Sequence, residues 1–415
     1  MEKGKWESYF DASGNCPLNS GQEAVHMCII YDENKSTWKI LYFDAWKLEP
    51  ADNSQYIRTR VFDMGDVGTR DRISAQNVPI WEVVNPPLEL PRMYCAGHSF
   101  LEDGRPIVAG GHRPLDPLQV HWARGLKYTY IFNPIEKSWT QAKNIFGVLQ
   151  PLLEGRWYPT LTKLEDNRIL AIAGFKYEYK TPSSFELEYN PTMEIYSPQN
   201  GWELLPPEAD TPQEFIDHNV LYPGGYLIPY PNDNISVKAG HILYTHPLKE
   251  TYRFDPSLTE THIWLKICES LQFRASASSV MLALHPISTV MKFVIFGGAS
   301  GDMEMPTDVI QELDLTPNTT NVNPGWTNKG TLNIPRRNAN VTQLTDGKIL
   351  ITGGNQMHLR ENAVTVAEMY DPETGNCEIL PSTTFTRMYH STAILLPDAR
   401  VMISGGEQYV HLILE

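Results

Sequence analysis

Three short stretches of this 415-residue chain carry side chains whose types suit redox chemistry. Tyr94-Cys-Ala-Gly-His98 offers a thiol at Cys95, Gly155-Arg-Trp-Tyr158-Pro-Thr a phenol, and Arg387-Met-Tyr389-His390 a phenol beside an imidazole. Imidazole nitrogen and phenolate oxygen are the donors that a tetragonal Cu(II) favours. A phenol titrates near pH ~10 in water, and a bound cation can hold it deprotonated at neutral pH. Each residue also has an ordinary use. Cys95 would serve as an inert buried thiol, Tyr158 and Tyr389 as core tyrosines with bonded hydroxyls, and His390 as a satisfied core imidazole.

These residues lie far apart in sequence, so only the fold can make them a site. The chain carries a weak internal repeat, and repeats of this length signal a modular architecture. One half is an apolar run that ends in a small-residue turn: Pro106-Ile-Val-Ala-Gly-Gly111, Ile169-Leu-Ala-Ile-Ala-Gly174, Phe293-Val-Ile-Phe-Gly-Gly298, Ile349-Leu-Ile-Thr-Gly-Gly354 and Val401-Met-Ile-Ser-Gly-Gly406. Tight-turn pairs such as Asp103-Gly104 and Asp346-Gly347 precede several copies, which is hairpin chemistry. The other half is an aromatic residue, a turn at Asp, Asn or Ser followed by Pro, then a Trp: Phe132-Asn-Pro with Trp139, Tyr196-Ser-Pro with Trp202, and Phe254-Asp-Pro with Trp264. Tyr370-Asp-Pro continues the series with Cys377 in the Trp position.

The pattern predicts an all-β, kelch-type β-propeller of four-stranded blades, in which glycines allow close backbone approach and each Trp packs between neighbouring blades. Blades fall near 22–84, 95–140, 157–205, 219–265, 274–327 and 335–380, with a partial one from 387. Six and a fraction suggests seven. Residues 1–20 form an N-terminal segment, in which Lys5-Trp-Glu-Ser-Tyr-Phe10 is the expected closing strand of the last blade; residues 21–415 form the propeller. Such closure removes exposed strand edges. A pair of β-sandwiches is the alternative, and regular Gly-Gly turns argue against it.

The three stretches occur in the same order as, and resemble, the motifs of the galactose oxidase and glyoxal oxidase family of copper radical enzymes. The resemblance spans roughly residues 90–410, and Pro335-Arg-Arg-Asn-Ala-Asn340 resembles the start of the blade before the last. It implies that Tyr158 is an equatorial copper ligand and the radical, with Cys95 joined to its ring through a thioether. It implies that Tyr389 is the axial ligand and the base for the substrate hydroxyl, and that His390 is an equatorial imidazole ligand. A thioether-substituted tyrosine has a lower oxidation potential. With copper it stores two oxidising equivalents, which allows oxidation of an alcohol or aldehyde while O2 becomes H2O2.

The chain departs from the family pattern at three places. Family members continue into a sandwich domain that supplies a further imidazole; this domain is expected to be absent, because the chain reaches Glu415 soon after the Tyr-His motif. His98, His358 and His411 are the candidate substitutes. A further ring covers the radical in galactose oxidase, and the corresponding turn here is Gly174-Phe175-Lys176, which makes Phe175 the expected cover. An arginine contacts the sugar in galactose oxidase, whereas Leu221-Tyr222-Pro223-Gly224-Gly225 carries none, so small aldehydes or primary alcohols fit better than galactose. His98 is otherwise expected to hydrogen-bond within its blade. Arg156, Arg336 and Arg387, which precede first strands, are expected to make inter-blade contacts with carboxylates or carbonyls.

Composition sets outer bounds. A formal charge of −15 with no basic cluster argues against nucleic acid and anionic membrane surfaces as partners. No stretch reaches the length of a membrane span, and Met1-Glu-Lys-Gly-Lys-Trp lacks the apolar core of a secretory leader, although the family is usually secreted. The five cysteines include no CxxC, which argues against structural zinc. A monomer is expected. Two readings compete with an oxidase: a non-catalytic propeller that binds a protein or glycan through its loop face, and an enzyme remnant without a competent metal site.

Overall fold

The computed structural model describes residues 23–34, 36–45, 59–63, 81–84, 93–114, 121–180, 185–285, 287–301, 304–317, 324–357 and 361–406. Residues 1–22, His358 and His411 lie outside that set, so the closing strand expected at 5–10 and two of the substitute histidines do too. Among the described residues the chain is all-β, with one five-residue helix, Gln213–Asp217, and short 3-10 turns. No helix is long and apolar enough to cross a membrane.

Six four-stranded antiparallel sheets follow one another along the chain, and within each the strands are paired in sequence order. The first comprises Glu23–Asp32, Thr37–Ala45, Thr59–Asp63 and Trp81–Val84. The second comprises Gly97–Phe100, Pro106–Ala109, Thr129–Asn133 and Ser138–Gln141. The third to sixth sheets begin at Thr160, Gly225, Ser278 and Asn340 and end at Leu204, Glu269, Thr331 and Ser382. A hairpin, Ser391–Leu395 with Val401–Gly405, comes last.

The hairpins that open the sheets turn on one repeated device. In Leu101-Glu-Asp-Gly-Arg105 and Leu164-Glu-Asp-Asn-Arg168 the leucine amide donates to the carbonyl of the basic residue, at 2.9 and 2.8 Å, and the fourth residue is left-handed. Leu344-Thr-Asp-Gly-Lys348 and Leu396-Pro-Asp-Ala-Arg400 repeat it.

Side-chain alternation explains how the sheets stack. Successive residues of a strand point to opposite faces. In the strand Ile169–Ile172, Ile169 and Ala171 pack with Ile107 and Ala109 of the second sheet, whereas Leu170 and Ile172 pack with Ile242 and Tyr244 of the fourth. In Lys292–Phe296, Phe293 and Ile295 face Leu243, while Val294 and Phe296 face Ile349 and Ile351. A second strand clothed on both faces must be apolar throughout, which is why these runs read as unbroken hydrophobic stretches. Pro106–Ala109, Ile169–Ile172 and Ile349–Thr352 are buried at every position, whereas the first strands Ser278–Met281 and Ser391–Leu395 are half-buried throughout. First strands of adjacent sheets approach one another, including that of the last hairpin with that of the first sheet. Ile40 and Tyr42 of the first sheet also share a cluster with Leu396, Ile394 and Met402.

The outer-strand tryptophans tie each sheet to the one before it. Trp139 donates from Nε1 to Thr59 Oγ1, Trp202 to Thr129 Oγ1 and Trp326 to Thr251 Oγ1, each at 2.8 Å. Trp264 instead donates to the carbonyl of Ala209 at 2.9 Å. Trp139→Phe removes a buried hydrogen bond and part of an aromatic contact. It is expected to lower the unfolding free energy by about 1.5–3 kcal/mol, read from denaturant midpoints at unchanged slope. A neutral result would show that the Trp–Thr tie contributes little.

The three arginines depart from expectation: their side chains bond within their own sheets. Arg156 reaches Glu194 and the carbonyls of Ala173 and Thr192, Arg336 reaches Glu368 and the carbonyls of Gly353 and Val366, and Arg387 reaches the carbonyl of Gly405. Each arginine sits just before a first strand, so its side chain folds back across the strand ends of the same sheet. Its main-chain carbonyl is the inter-sheet contact. The Gly111, Gly298 and Gly354 amides donate to the carbonyls of Arg156, Arg336 and Arg387 at 2.9, 3.0 and 2.7 Å. A Cβ on Gly110 would stand 2.6 Å from the Arg156 oxygen, so the Gly-Gly pair is what lets the next sheet dock so closely.

A further four-stranded sheet was not expected. It combines His112–Pro114 and His121–Gly125, which leave the second sheet, with Phe175–Lys180 and Phe185–Tyr189, which leave the third. The strand Phe175–Lys180 pairs with His121–Gly125 across the two excursions.

Candidate active site

The segments that lead into the first strands meet at one end of the sheet stack. Each places one residue in the left-handed region: Cys95, Tyr158, Tyr222, Ser276, Asn338 and His390 have φ of 53°, 68°, 45°, 54°, 55° and 62°. Side chains other than glycine avoid this region, so each must be held by its surroundings. The holding bonds run from sheet to sheet. Tyr158 N donates to Cys95 O at 2.9 Å, Tyr222 N to Tyr158 O at 3.2 Å, and Asn338 N to Ser276 O at 2.9 Å.

The left-handed residue has a chemical consequence. In an extended strand, consecutive side chains point apart. A left-handed second residue breaks that alternation, and both members of the pair then serve one place. Tyr389 and His390 stack at 3.8 Å between ring centres. Tyr94 and Cys95 both reach His390: the Tyr94 hydroxyl lies 3.1 Å from Nδ1 and the Cys95 sulfur 3.4 Å from Nε2. Trp157 and Tyr158 stack at 4.9 Å with 24° between their planes.

The structure brings together the four residues singled out from sequence. The Tyr158 and Tyr389 hydroxyls are 2.7 Å apart. The Tyr158 hydroxyl also lies within hydrogen-bonding reach of the Cys95 thiol. Cys95 is fully buried, and Tyr158, Tyr389 and His390 are half-buried. Burial raises the pKa of Tyr158 well above that of a free phenol, and the Cys95 and Tyr389 groups raise it further. The Tyr158 phenol is therefore neutral unless a cation lies against it.

The surrounding rings differ from expectation. The ring stacked on Tyr158 is Trp157, and Phe175 stands behind it, edge-on to Trp157 at 6.2 Å. Phe175 is held there because its amide and carbonyl are exchanged with those of Trp157, at 2.8 and 2.9 Å. His112 of the additional sheet stacks on Trp157 at 4.2 Å. Tyr222 meets Tyr158 edge-on at 5.3 Å, and its hydroxyl donates to the Ala96 carbonyl at 3.0 Å. The His98 backbone pairs with Val108 in its sheet, and its ring faces the first sheet. It lies between the first two sheets against His26 and Phe43, at 5.2 and 5.9 Å, and burial pushes its pKa down to about 4. The sequence signal for Trp157 and Tyr94 was their position immediately before a site residue. His26, His112 and Tyr222 had no such signal.

A second cluster of metal-ligating types, His241, Asp255 and Glu260, is structural. Glu260 pairs with Lys238 and lies 4.0 Å from Arg253, and Asp255 accepts the amides of Ser257, Thr259 and Glu260 in a turn.

Stacked four-stranded sheets that gather a thiol, two phenols and an imidazole at their inner ends define the galactose oxidase and glyoxal oxidase class. The chain belongs to the glyoxal oxidase family: the family model described as glyoxal oxidase N-terminus matches residues 92–412. An aldehyde oxidase of Vitis pseudoreticulata is 26% identical over 347 residues, covering 79% of this chain and 58% of the relative. An aldehyde oxidase of Arabidopsis thaliana is 25% identical over 435 residues, covering 97% and 62%. A galactose oxidase of Gibberella zeae is 24% identical over 334 residues, covering 76% and 42%. The chain thus spans about three fifths of the length of the two plant relatives. Among solved structures, a fungal alcohol oxidase of the AA5 family in complex with copper has the same fold, with a TM-score of 0.63 at 20% identity, over 92% of this chain and 70% of the other.

Proposed function

We propose that the chain is a seven-bladed propeller whose axis carries a copper radical site. The site oxidises small aldehydes or primary alcohols with O2 and yields H2O2. The observation that carries this reading is the convergence of Cys95, Tyr158, Tyr389 and His390, from three separate parts of the stack, within hydrogen-bonding distance of one another. The apolar cluster shared by the first sheet and the last hairpin supports closure of the ring.

The donor set fits copper. Two phenol oxygens lie 2.7 Å apart, a separation at which they can share one cation in place of a proton, and the His390 Nε2 faces the same thiol that Tyr158 does. Tyr158, Tyr389 and His390 would hold the ion, and when bound it would keep a phenolate at neutral pH and store one oxidising equivalent. Tyr389 accepts the proton of the substrate hydroxyl. Tyr158 takes the hydrogen from the substrate carbon. Trp157 covers one face of the Tyr158 ring and would shield a radical held there from water. The overall reaction is RCH2OH + O2 → RCHO + H2O2; an aldehyde enters as its hydrate and leaves as the acid. The segment Leu221-Tyr222-Pro223-Gly224-Gly225, the region in which galactose oxidase would carry its sugar-contacting arginine, offers no cation for a sugar, which favours small substrates.

Joining Cys95 to Tyr158 forms one carbon–sulfur bond and removes the thiol hydrogen and one ring hydrogen, with O2 reduced to H2O2. The test is aerobic Cu(II) loading of the full chain, followed by intact-mass analysis and peptide mapping. A loss of two hydrogens and a linked pair of peptides that carry Cys95 and Tyr158 are expected, together with H2O2 released on adding a small aldehyde. A chain that retains no copper and stays unlinked would be a binding scaffold.

A further inference from the structure

Trp157 covers Tyr158, yet its indole has no polar anchor. The Nε1 is buried with no hydrogen-bond partner, whereas a buried indole ordinarily finds one. Packing therefore sets the tilt of the ring. Three rings do this. Tyr158 stacks on it at 4.9 Å with 24° between planes, His112 stacks at 4.2 Å with 26°, and Phe175 meets it edge-on at 6.2 Å. His112 makes the shortest of these contacts, and no step of the chemistry above uses it.

The additional four-stranded sheet is what places His112. This residue opens the strand His112–Pro114 directly after Gly111, and it pairs with Gly125. The Gly111 amide donates to the Arg156 carbonyl at 2.9 Å, and the Leu126 amide to the Gly111 carbonyl at 2.9 Å. The Arg156 amide donates in turn to the Leu126 carbonyl at 3.1 Å. The base of the additional sheet is thus bonded to the residue just before Trp157. A Cβ on Gly125 would stand 2.7 Å from the Arg156 nitrogen, so the two backbones meet without room for a side chain. The His112 ring also lies 6.1 Å from that of Tyr94. It therefore stands beside the chain neighbours of both Cys95 and Tyr158.

We infer that the additional sheet is a brace for the radical site: through His112 it holds the Trp157 indole stacked on the Tyr158 ring. His112 is a positioning residue, and it acts on Tyr158 through Trp157. The inference rests on the radical reading given above. An indole that swings away uncovers the phenol ring, and a radical held there is then open to water and reductants. Loss of one stacked aromatic contact shifts such an equilibrium roughly fivefold.

The variants that test this are His112→Gln, which keeps a polar side chain but loses the ring, and His112→Phe, which restores a ring. The first readout needs no metal. It is 19F NMR of the full chain labelled with 5-fluorotryptophan, in which the Trp157 resonance is the one that disappears in Trp157→Phe. That resonance should shift in His112→Gln and return toward its native position in His112→Phe. The second readout is the lifetime of the Tyr158 radical, produced by one-electron oxidation of the copper-loaded chain with ferricyanide and followed by its visible absorption. The lifetime should fall at least about fivefold in His112→Gln and stay within about twofold of the native value in His112→Phe. An unmoved resonance, or a moved resonance with an unchanged lifetime, would overturn the inference. Should His112→Gln not fold, His112→Leu fills the space without a π-face and gives the same reading. Failure of the radical reading looks different: the native chain itself would then form no radical, while the fluorine shift still decides whether His112 holds Trp157.

Discussion

Tyr158→Phe is expected to fold as the native chain does and to release no substrate-dependent H2O2, a loss of at least about a thousandfold, in line with removal of a group that takes part directly in proton and hydrogen transfer. The variant keeps the ring on which Trp157 stacks and the backbone bonds to Cys95 and Tyr222. Only the hydroxyl is lost, with its contacts to Tyr389 and Cys95, so the cost in stability is about 1 kcal/mol or less. Without a phenol oxygen the ring can neither hold a cation nor be activated toward the thiol. The intact mass after aerobic copper loading should therefore show no loss of hydrogen. The paired measurement is H2O2 release and intact mass on one preparation. Turnover within tenfold of the native chain would remove Tyr158 from the chemistry.

The largest effect on stability is expected at Arg156→Ala, about 3–5 kcal/mol. The guanidinium and the Glu194 carboxylate are both fully buried, 2.9 Å apart. The carboxylate also accepts the Leu153 amide at 2.6 Å, and the guanidinium caps the carbonyls of Ala173 and Thr192. Truncating the arginine leaves a charge in the interior with no countercharge and two carbonyls without a donor. The double variant Arg156→Met with Glu194→Leu should lose less than Arg156→Ala alone, because an apolar pair carries no desolvation penalty. Urea midpoints decide the order; a single variant as stable as the native chain would show that the pair is not what holds this segment. Arg156 lies two residues before Tyr158, so the same substitution should also loosen the turn that holds Tyr158 at φ 68°.

How much of this was readable beforehand depended on whether the signal was local. The apolar runs before each Gly-Gly turn were legible because a strand buried on both faces must be apolar at every position, as Ile169–Ile172 is. Trp139, Trp202 and Trp264 were legible because an indole that ties two sheets recurs shortly after its turn. Trp139 and Trp202 find a threonine and Trp264 a carbonyl, while Trp326, which also finds a threonine, lacks the preceding aromatic-Asp/Asn/Ser-Pro turn. Cys377 breaks the series, and there the thiol donates instead to Glu368, the partner of Arg336. The additional sheet was not legible. Its central pairing joins His121–Gly125 to Phe175–Lys180, segments that no turn connects. Phe175 was the expected cover on Tyr158 because its turn corresponds to the covering turn of galactose oxidase. The positive φ of Tyr158 breaks strand alternation and brings the neighbouring Trp157 onto the ring instead.

The amino-acid order alone determined the repeat and the strand-rich class, because periodic burial and turn chemistry leave a mark on neighbouring residues, and the family resemblance singled out Cys95, Tyr158, Tyr389 and His390. Tertiary structure alone decided that these side chains meet and that Trp157 rather than Phe175 faces the phenol. Such facts depend on backbone torsion and on contacts between distant segments, neither of which a linear pattern records.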